Sequence, residues 1–216
     1  MSNRRTEGSR VKEKQSVDLL SEALEAVRSG EVIVFPTETF YGLGADALNE
    51  AAVMRVASLK GRDPENPIPL IITDMNMLKE IVSELPLMAE RLINHFWPGP
   101  LTLVLPAKQG LPTLLMNRAG GVGVRVSSHP VASALVKGLG CPLTATSANS
   151  SGKGPAKTIA EARSYFSKQV EIFIDGGRLE GKKGSTVVEI HGDQLKIIRD
   201  GEISPKELRE ALASVS

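Results

Sequence analysis

Apolar runs of four or five residues alternate along this chain with stretches of helical periodicity, and proline, glycine and hydroxyl-rich clusters break them apart. The pattern opens with Leu19, Leu20, Ala23, Leu24 and Val27, one face of a helix capped by Ser16 and stopped by Gly30. Val32-Ile33-Val34-Phe35 then reads as a buried strand, and Pro36 denies the ladder its next donor. After it, Thr37-Glu38-Thr39-Phe40-Tyr41-Gly42-Leu43-Gly44 reads as a presented loop. It offers hydroxyls, one acid, and two glycines able to take positive φ or to let a ligand approach the backbone. Ligands in open α/β sheets sit beyond strand C-termini, so this segment is either a binding element or a plain turn.

Asn49 opens a second helix through Ala52, Val53, Val56 and Leu59. That helix delivers Lys60-Gly61-Arg62 at its C-terminal end, where Pro64 and Pro67 prevent continuation. Pro69-Leu70-Ile71-Ile72 is a short strand, and helical stretches follow at 75–83 and 87–95. Trp97-Pro98-Gly99-Pro100 is a rigid turn into the strand Leu101-Thr102-Leu103-Val104-Leu105. Val122-Gly123-Val124-Arg125-Val126 alternates as a strand, a helix begins near Pro130, and a further strand ends near Thr146. Thr158-Ile159-Ala160-Glu161 and Ser204-Pro205-Lys206-Glu207 are capping boxes. Between them strands are expected near 171–174, 186–190 and 195–198, the last two a hairpin over His191-Gly192-Asp193. Some connections carry helices and others are tight turns. This predicts an α/β fold: a single domain built on a twisted, mixed parallel and antiparallel sheet flanked by helices. Residues 1–15 carry Arg4, Arg5, Arg10, Lys12 and Lys14 without apolar periodicity and read as a disordered N-terminal tail; the domain is expected over 16–216.

Composition narrows the function classes. At 216 residues, 41% hydrophobic and 24% charged, the chain is ordinary for a soluble protein, and a net charge of +1 gives no overall pull toward nucleic acid or membrane. The single cysteine, Cys141, excludes an intramolecular disulfide and reads as a packed thiol before Pro142. No apolar run approaches the ~20 residues of a membrane span, so no membrane role is expected and a cytoplasmic location is.

Several familiar motifs fail. Gly176 to Lys183 has P-loop spacing until its last position, where Lys183 replaces the hydroxyl that magnesium needs, and a strand rather than a helix follows. Gly42-Leu43-Gly44-Ala45-Asp46-Ala47 resembles a dinucleotide fingerprint, but polar residues separate it from its strand. His95, His129 and His191 lack zinc-ligand spacing, no metal site is read, and no arrangement of Ser or Asp supports a hydrolase triad. What remains is a set of cations and hydroxyls at element ends: Lys60 and Arg62 at a helix exit, and Arg125 inside an apolar strand where it needs a partner. To these are added the loop Ser147-Ala148-Asn149-Ser150-Ser151-Gly152, then Ser185, and Arg199 closing a strand. Together they argue for an anionic ligand, a nucleotide first among them.

On these residues the chain resembles the YrdC family of threonylcarbamoyl-AMP synthases. The resemblance runs from about residue 16 to 209 and is carried by Pro36-Thr37-Glu38-Thr39-Phe40-Tyr41-Gly42-Leu43, Lys60-Gly61-Arg62, Asn66-Pro67, Trp97-Pro98-Gly99-Pro100, Val124-Arg125-Val126, Thr146-Ser147-Ala148-Asn149, Gly184-Ser185-Thr186 and Ile198-Arg199-Asp200-Gly201. It implies an α/β domain with an open basic cavity, and a nucleotidyltransferase that makes threonylcarbamoyl-AMP and pyrophosphate from L-threonine, bicarbonate and ATP. Magnesium is implied on the ATP phosphates, and the product serves tRNA threonylcarbamoyladenosine formation, with tRNA or downstream tRNA threonylcarbamoyltransferase proteins as partners. Carried over by residue, Lys60 and Arg62 would be catalytic. Lys60, Arg62, Asn66, Ser147, Asn149 and Arg199 would bind ATP, and Thr37, Thr39, Tyr41, Arg125 and Ser185 would bind threonine. The chain departs from the family pattern in reading Arg62-Asp63 where Arg-Pro is common, and in lacking a His after Asn66-Pro67. The alternatives are a YciO-like paralogue, or an RNA-binding module using the same basic cavity; RNA readers stack bases on aromatics, and only 4% of this chain is aromatic.

Overall fold

The structure, a computed structural model, describes residues 18–61, 66–192 and 194–213. The expected tail at 1–15, the Ser16 cap and Arg62 lie outside those residues. Helix α1 (18–28) buries Ala23 and Val27 and packs Leu19, Leu20 and Leu24 against the core, as its periodicity predicts. Gly30 ends it at φ 85, a conformation that side-chain-bearing residues avoid.

Strand β1 (Ile33–Pro36) is buried along its whole length. The segment after it is only half a loop. Residues 37–40 turn, and Tyr41–Gly44 returns as β2, antiparallel to β1 with Pro36 opposite Tyr41 and Ile33 opposite Gly44. Neither glycine of β2 has positive φ. They are glycines because the Phe35 ring lies across them: a Cβ at Gly44 would stand 2.8 Å from Phe35 Cε1, and one at Gly42 3.2 Å.

Helix α2 (Glu50–Lys60) starts where Asn49 accepts from Ala52 N and stops at Gly61, φ 59. Strand β3 (Leu70–Ile71), helices α3 (Met75–Ile81) and α4 (Leu87–Phe96), and strand β4 (Leu101–Pro106) follow. A 3-10 turn (Thr113–Leu115), β5 (Gly121–Arg125) and α5 (Pro130–Leu139) come next. The strand expected to end near Thr146 is two strands, β6 (Leu143–Thr144) and β7 (Thr146–Ser147). Helix α6 (Ile159–Phe166) carries the expected capping box between Thr158 and Glu161. The hairpin of β8 (Thr186–His191) and β9 (Gln194–Arg199) leads to α7 (Pro205–Ala213), where Ser204 and Glu207 cap each other. The strand expected at 171–174 is a single parallel bridge, Phe173 to Val34, because only Ile172 and Ile174 reach the edge of β1.

The strands form two sheets. One has six strands in the order β6-β3-β5-β4-β8-β9 and mixes parallel pairs (β3 with β5, β4 with β8) with antiparallel ones. The other has three, β1-β2-β7, all antiparallel. Between β6 and β7 the chain steps from the large sheet to the small one through a single residue, Ala145, whose N–H is held by the Pro69 carbonyl at 2.8 Å. Both sheets share one hydrophobic core, filled by Ile33, Phe35 and Leu43 from the small sheet and Leu70, Leu103 and Val124 from the large one.

Candidate functional site

The seam between the two sheets opens as a pocket of about 280 Å³. The small sheet supplies its first wall through the 37–40 turn. Thr37 Oγ1 donates to the Phe40 carbonyl at 2.7 Å, accepts from the N–H groups of Thr39 and Phe40, and lies 3.1 Å from Thr39 Oγ1. A hydroxyl that folds back on its own turn in this way fixes the turn and keeps both threonines at the pocket. Tyr41 is anchored behind them. Its phenol donates to the Gly177 carbonyl at 2.7 Å, lies 3.1 Å from Asp175 Oδ1 and accepts from Gly176 N at 2.9 Å; burial pushes its pKa up to about 12. The loop so anchored passes directly over the turn: at Gly181 a Cβ would collide with the Thr39 carbonyl.

The large sheet supplies the charge. Arg125 ends β5, in register with Ile71, and is 5% exposed. Its Nη1 pairs with Glu38 Oε1, while Ser127 Oγ donates to Glu38 Oε2. Burial first, and the charge of Arg199 second, push the Arg125 guanidinium down to about 10, so it stays protonated at neutral pH. Arg199 closes β9 and donates from Nη2 to the Ser185 carbonyl at 2.8 Å and to Ser185 Oγ at 3.1 Å; burial lowers its pKa as well. Ser185 Oγ in turn lies 2.8 Å from Thr102 Oγ1. Two guanidiniums that feel each other therefore face one pocket, and among the described residues no acidic side chain lines it.

The third wall is the sheet switch. Ser147 lines the pocket at the end of β7, and Lys60, 7% exposed, reaches Ser147 from behind at the end of α2. Lys60 Nζ donates to the Ser147 carbonyl at 2.7 Å and hydroxyl at 3.2 Å, and to the Asn149 carbonyl at 3.1 Å and side-chain oxygen at 3.0 Å. Asn149 closes the loop by donating to the Lys153 carbonyl at 2.6 Å. In this arrangement Lys60 straps the Ser-Ala-Asn loop to α2.

Of the residues singled out in the sequence, Thr37, Thr39, Tyr41, Arg125 and Ser185 line one pocket together with Ser147 and Arg199. Lys60 and Asn149 lie one layer behind, Asn66 is exposed at the start of its described segment, and Arg62 lies outside the described residues. Sequence reasoning missed Glu38, Ser127 and Thr102. The signal for Glu38 was present: a buried Arg125 demands a carboxylate, and Glu38 is the acid that directly follows the first strand.

Fold and pocket define an α/β domain with an anion-seeking cleft between two sheets. The Sua5/YciO/YrdC family model, whose description reads "Telomere recombination", matches residues 25–201, and the chain belongs to that family. A Vibrio cholerae threonylcarbamoyl-AMP synthase is 36% identical over 187 residues, 86% of this chain and 98% of that protein. The solved structure of P. abyssi Sua5 complexed with L-threonine superimposes with a TM-score of 0.86 at 35% identity, over 91% of this chain and 58% of that one. The E. coli YciO structure gives 0.80 at 30% identity, over 88% and 93%. This chain thus spans under two thirds of the P. abyssi protein and nearly all of the other two.

Proposed function

We propose that this protein is a threonylcarbamoyl-AMP synthase, a nucleotidyltransferase that joins L-threonine, bicarbonate and ATP and releases pyrophosphate. The observation that carries the reading is a hydroxyl-lined pocket onto which two guanidiniums, Arg125 and Arg199, open, with no acidic side chain lining it among the described residues. Such a pocket favours an anionic ligand. The amine of threonine would capture bicarbonate as a carbamate with loss of water, and a carbamate oxygen would attack the α-phosphorus as pyrophosphate leaves. That chemistry asks for alignment and charge neutralisation rather than a nucleophilic side chain. Arg125 would take the threonine carboxylate through its fork, with Thr39 and Ser185 on the polar remainder and Thr37 holding the turn that presents Thr39. Arg199, Ser147 and Asn66 would meet the nucleotide, with Arg62 joining from the segment after α2. Lys60 and Asn149 would hold the loop that carries Ser147.

Among the described residues no group of three or more His, Cys, Asp and Glu side chains suits a metal ion. Magnesium would arrive on the triphosphate oxygens, as part of the ATP substrate. The threonylcarbamoyl adenylate would pass to a transferase that modifies adenosine in tRNA. A cytoplasmic site of action fits this role, and among the described residues no helix is long and apolar enough to cross a membrane.

A YciO-like role shares the fold, and chain length does not separate the two: this chain spans 93% of YciO and 98% of the V. cholerae synthase. Pyrophosphate release from ATP separates them. Release that requires both threonine and bicarbonate supports the synthase, whereas ATP binding indifferent to threonine removes it.

A further inference from the structure

Glu38 is absent from the pocket lining, yet it touches the residue that most defines the pocket. It sits in the turn of the small sheet, its side chain 13% exposed, and reaches across the seam to Arg125 at the end of β5 in the large sheet. Both carboxylate oxygens are engaged, one by Arg125 Nη1 and the other by Ser127 Oγ. Ser127 Oγ also accepts from His129 N at 3.2 Å, which fixes the hydroxyl against the start of α5. Among the described residues no buried side-chain polar atom lacks a partner, so the Arg125 donors that Glu38 leaves open face the cavity.

We propose that Glu38 is a positioning residue for Arg125. It clamps the Nη1 end of the guanidinium to Ser127 and sets the free edge at the angle a substrate carboxylate needs. A buried arginine has many rotamers, and few of them turn its fork toward a given planar anion. The Glu38 carboxylate holds Arg125 in the orientation seen here and balances one of the two pocket charges. Arg199 is left as the cation whose acceptors are a neutral carbonyl and hydroxyl. The substrate class this serves is an α-amino acid, bound through its carboxylate. This identification rests on the synthase reading; the clamp itself does not.

Two measurements test it. The first uses no substrate: arginine side-chain NMR on the whole protein, with Arg125→Lys to assign the signal. A clamped guanidinium rotates slowly about Nε–Cζ and shows separate Nη signals, which Glu38→Gln should merge and Ser127→Ala should partly merge. Freely rotating Nη groups in the unaltered protein would overturn the proposal. The second is pyrophosphate release by Glu38→Gln and Glu38→Asp. Glu38→Gln should raise the threonine KM by about tenfold or more while the ATP KM stays within about twofold, and Glu38→Asp, which keeps the charge, should recover part of the loss. Equal shifts in both KM values, or a fall confined to kcat with a moved pH profile, would overturn positioning; the latter would make Glu38 a proton acceptor instead. If the unaltered protein shows no threonine-dependent release, the synthase reading falls and the NMR result still decides the clamp.

Discussion

Replacing Lys60 with methionine separates two roles for one ammonium. The apolar stem keeps its place at the end of α2, but Ser147 and Asn149 lose a charged donor that now serves two carbonyls, a hydroxyl and an amide oxygen within 3.2 Å. Hydrogen bonds to a charged group are each worth about 1.5–3 kcal/mol, and buried acceptors left without a donor add their desolvation penalty. These bonds share one ammonium and are not additive, and part of the loop can relax toward water. A net loss of about 2–4 kcal/mol follows. For a chain of this size that lowers the melting midpoint by on the order of 10 °C, out of a total stability of about 5–15 kcal/mol. Urea unfolding followed by circular dichroism gives the stability, and pyrophosphate release on the same preparation gives the activity. The strap predicts that both fall, and that Lys60→Arg does not restore them, since a forked guanidinium does not fit the space of a compact ammonium. An unchanged unfolding midpoint with activity reduced about a thousandfold would refute the strap and return Lys60 to direct contact with phosphate or carbamate.

Further outcomes follow from the same geometry. Arg125→Lys should raise the threonine KM by about tenfold or more and leave the ATP KM little changed, because one ammonium cannot reproduce the fork; steady-state kinetics in each substrate checks it. Tyr41 has its phenol raised from 10.0 to about 12, so its neutral form contributes stability that is complete below pH 10 and is lost as pH rises toward 12. Unfolding midpoints of the unaltered protein should fall across that window more steeply than those of Tyr41→Phe, and the late absorbance change at 295 nm should vanish in the variant. Gly181→Ala should push the 175–184 loop off the Thr39 carbonyl and weaken threonine use while the six-stranded sheet persists, seen as lost activity with near-normal circular dichroism.

The features legible in the sequence were those with short-range causes. Asn49, the Thr158–Glu161 box and the Ser204–Glu207 box each cap a helix within four residues, and the β8–β9 hairpin closes over adjacent positions. What escaped was fixed from a distance. Gly42 and Gly44 carry loop composition, yet they pair in a ladder with β1 and β7 where the Phe35 ring leaves no room for a Cβ. The split at Ala145 depends on Pro69, far away in sequence, holding one N–H while β6 joins β3 and β7 joins β2. The segment at 171–174 has strand-like residues, yet a single bridge to Val34 uses them. The site behaved likewise. Five threonine-assigned residues do converge, but which of their hydroxyls are spent on the protein itself, as in Thr37 and Tyr41, is set by partners the local sequence does not name.

A site placed at a seam has a consequence for how its residues can be assigned. The walls belong to different sheets, so each polar tie between them does two things at once. Glu38 to Arg125 joins the small sheet to the large one and orients a guanidinium; Lys60 to Ser147 and Asn149 joins α2 to the sheet switch and shapes the wall that carries Ser147. Removing either tie loosens the seam and misplaces a ligand group together, so loss of activity alone assigns neither a contact nor a support. Alignment carries most of the rate in phosphoryl-type chemistry, and displacement by about an ångström can cost about a hundredfold. The pocket thus depends on residues that need never touch the substrate, and the ratio of effects on the two substrates, read beside stability, is what tells the two kinds apart.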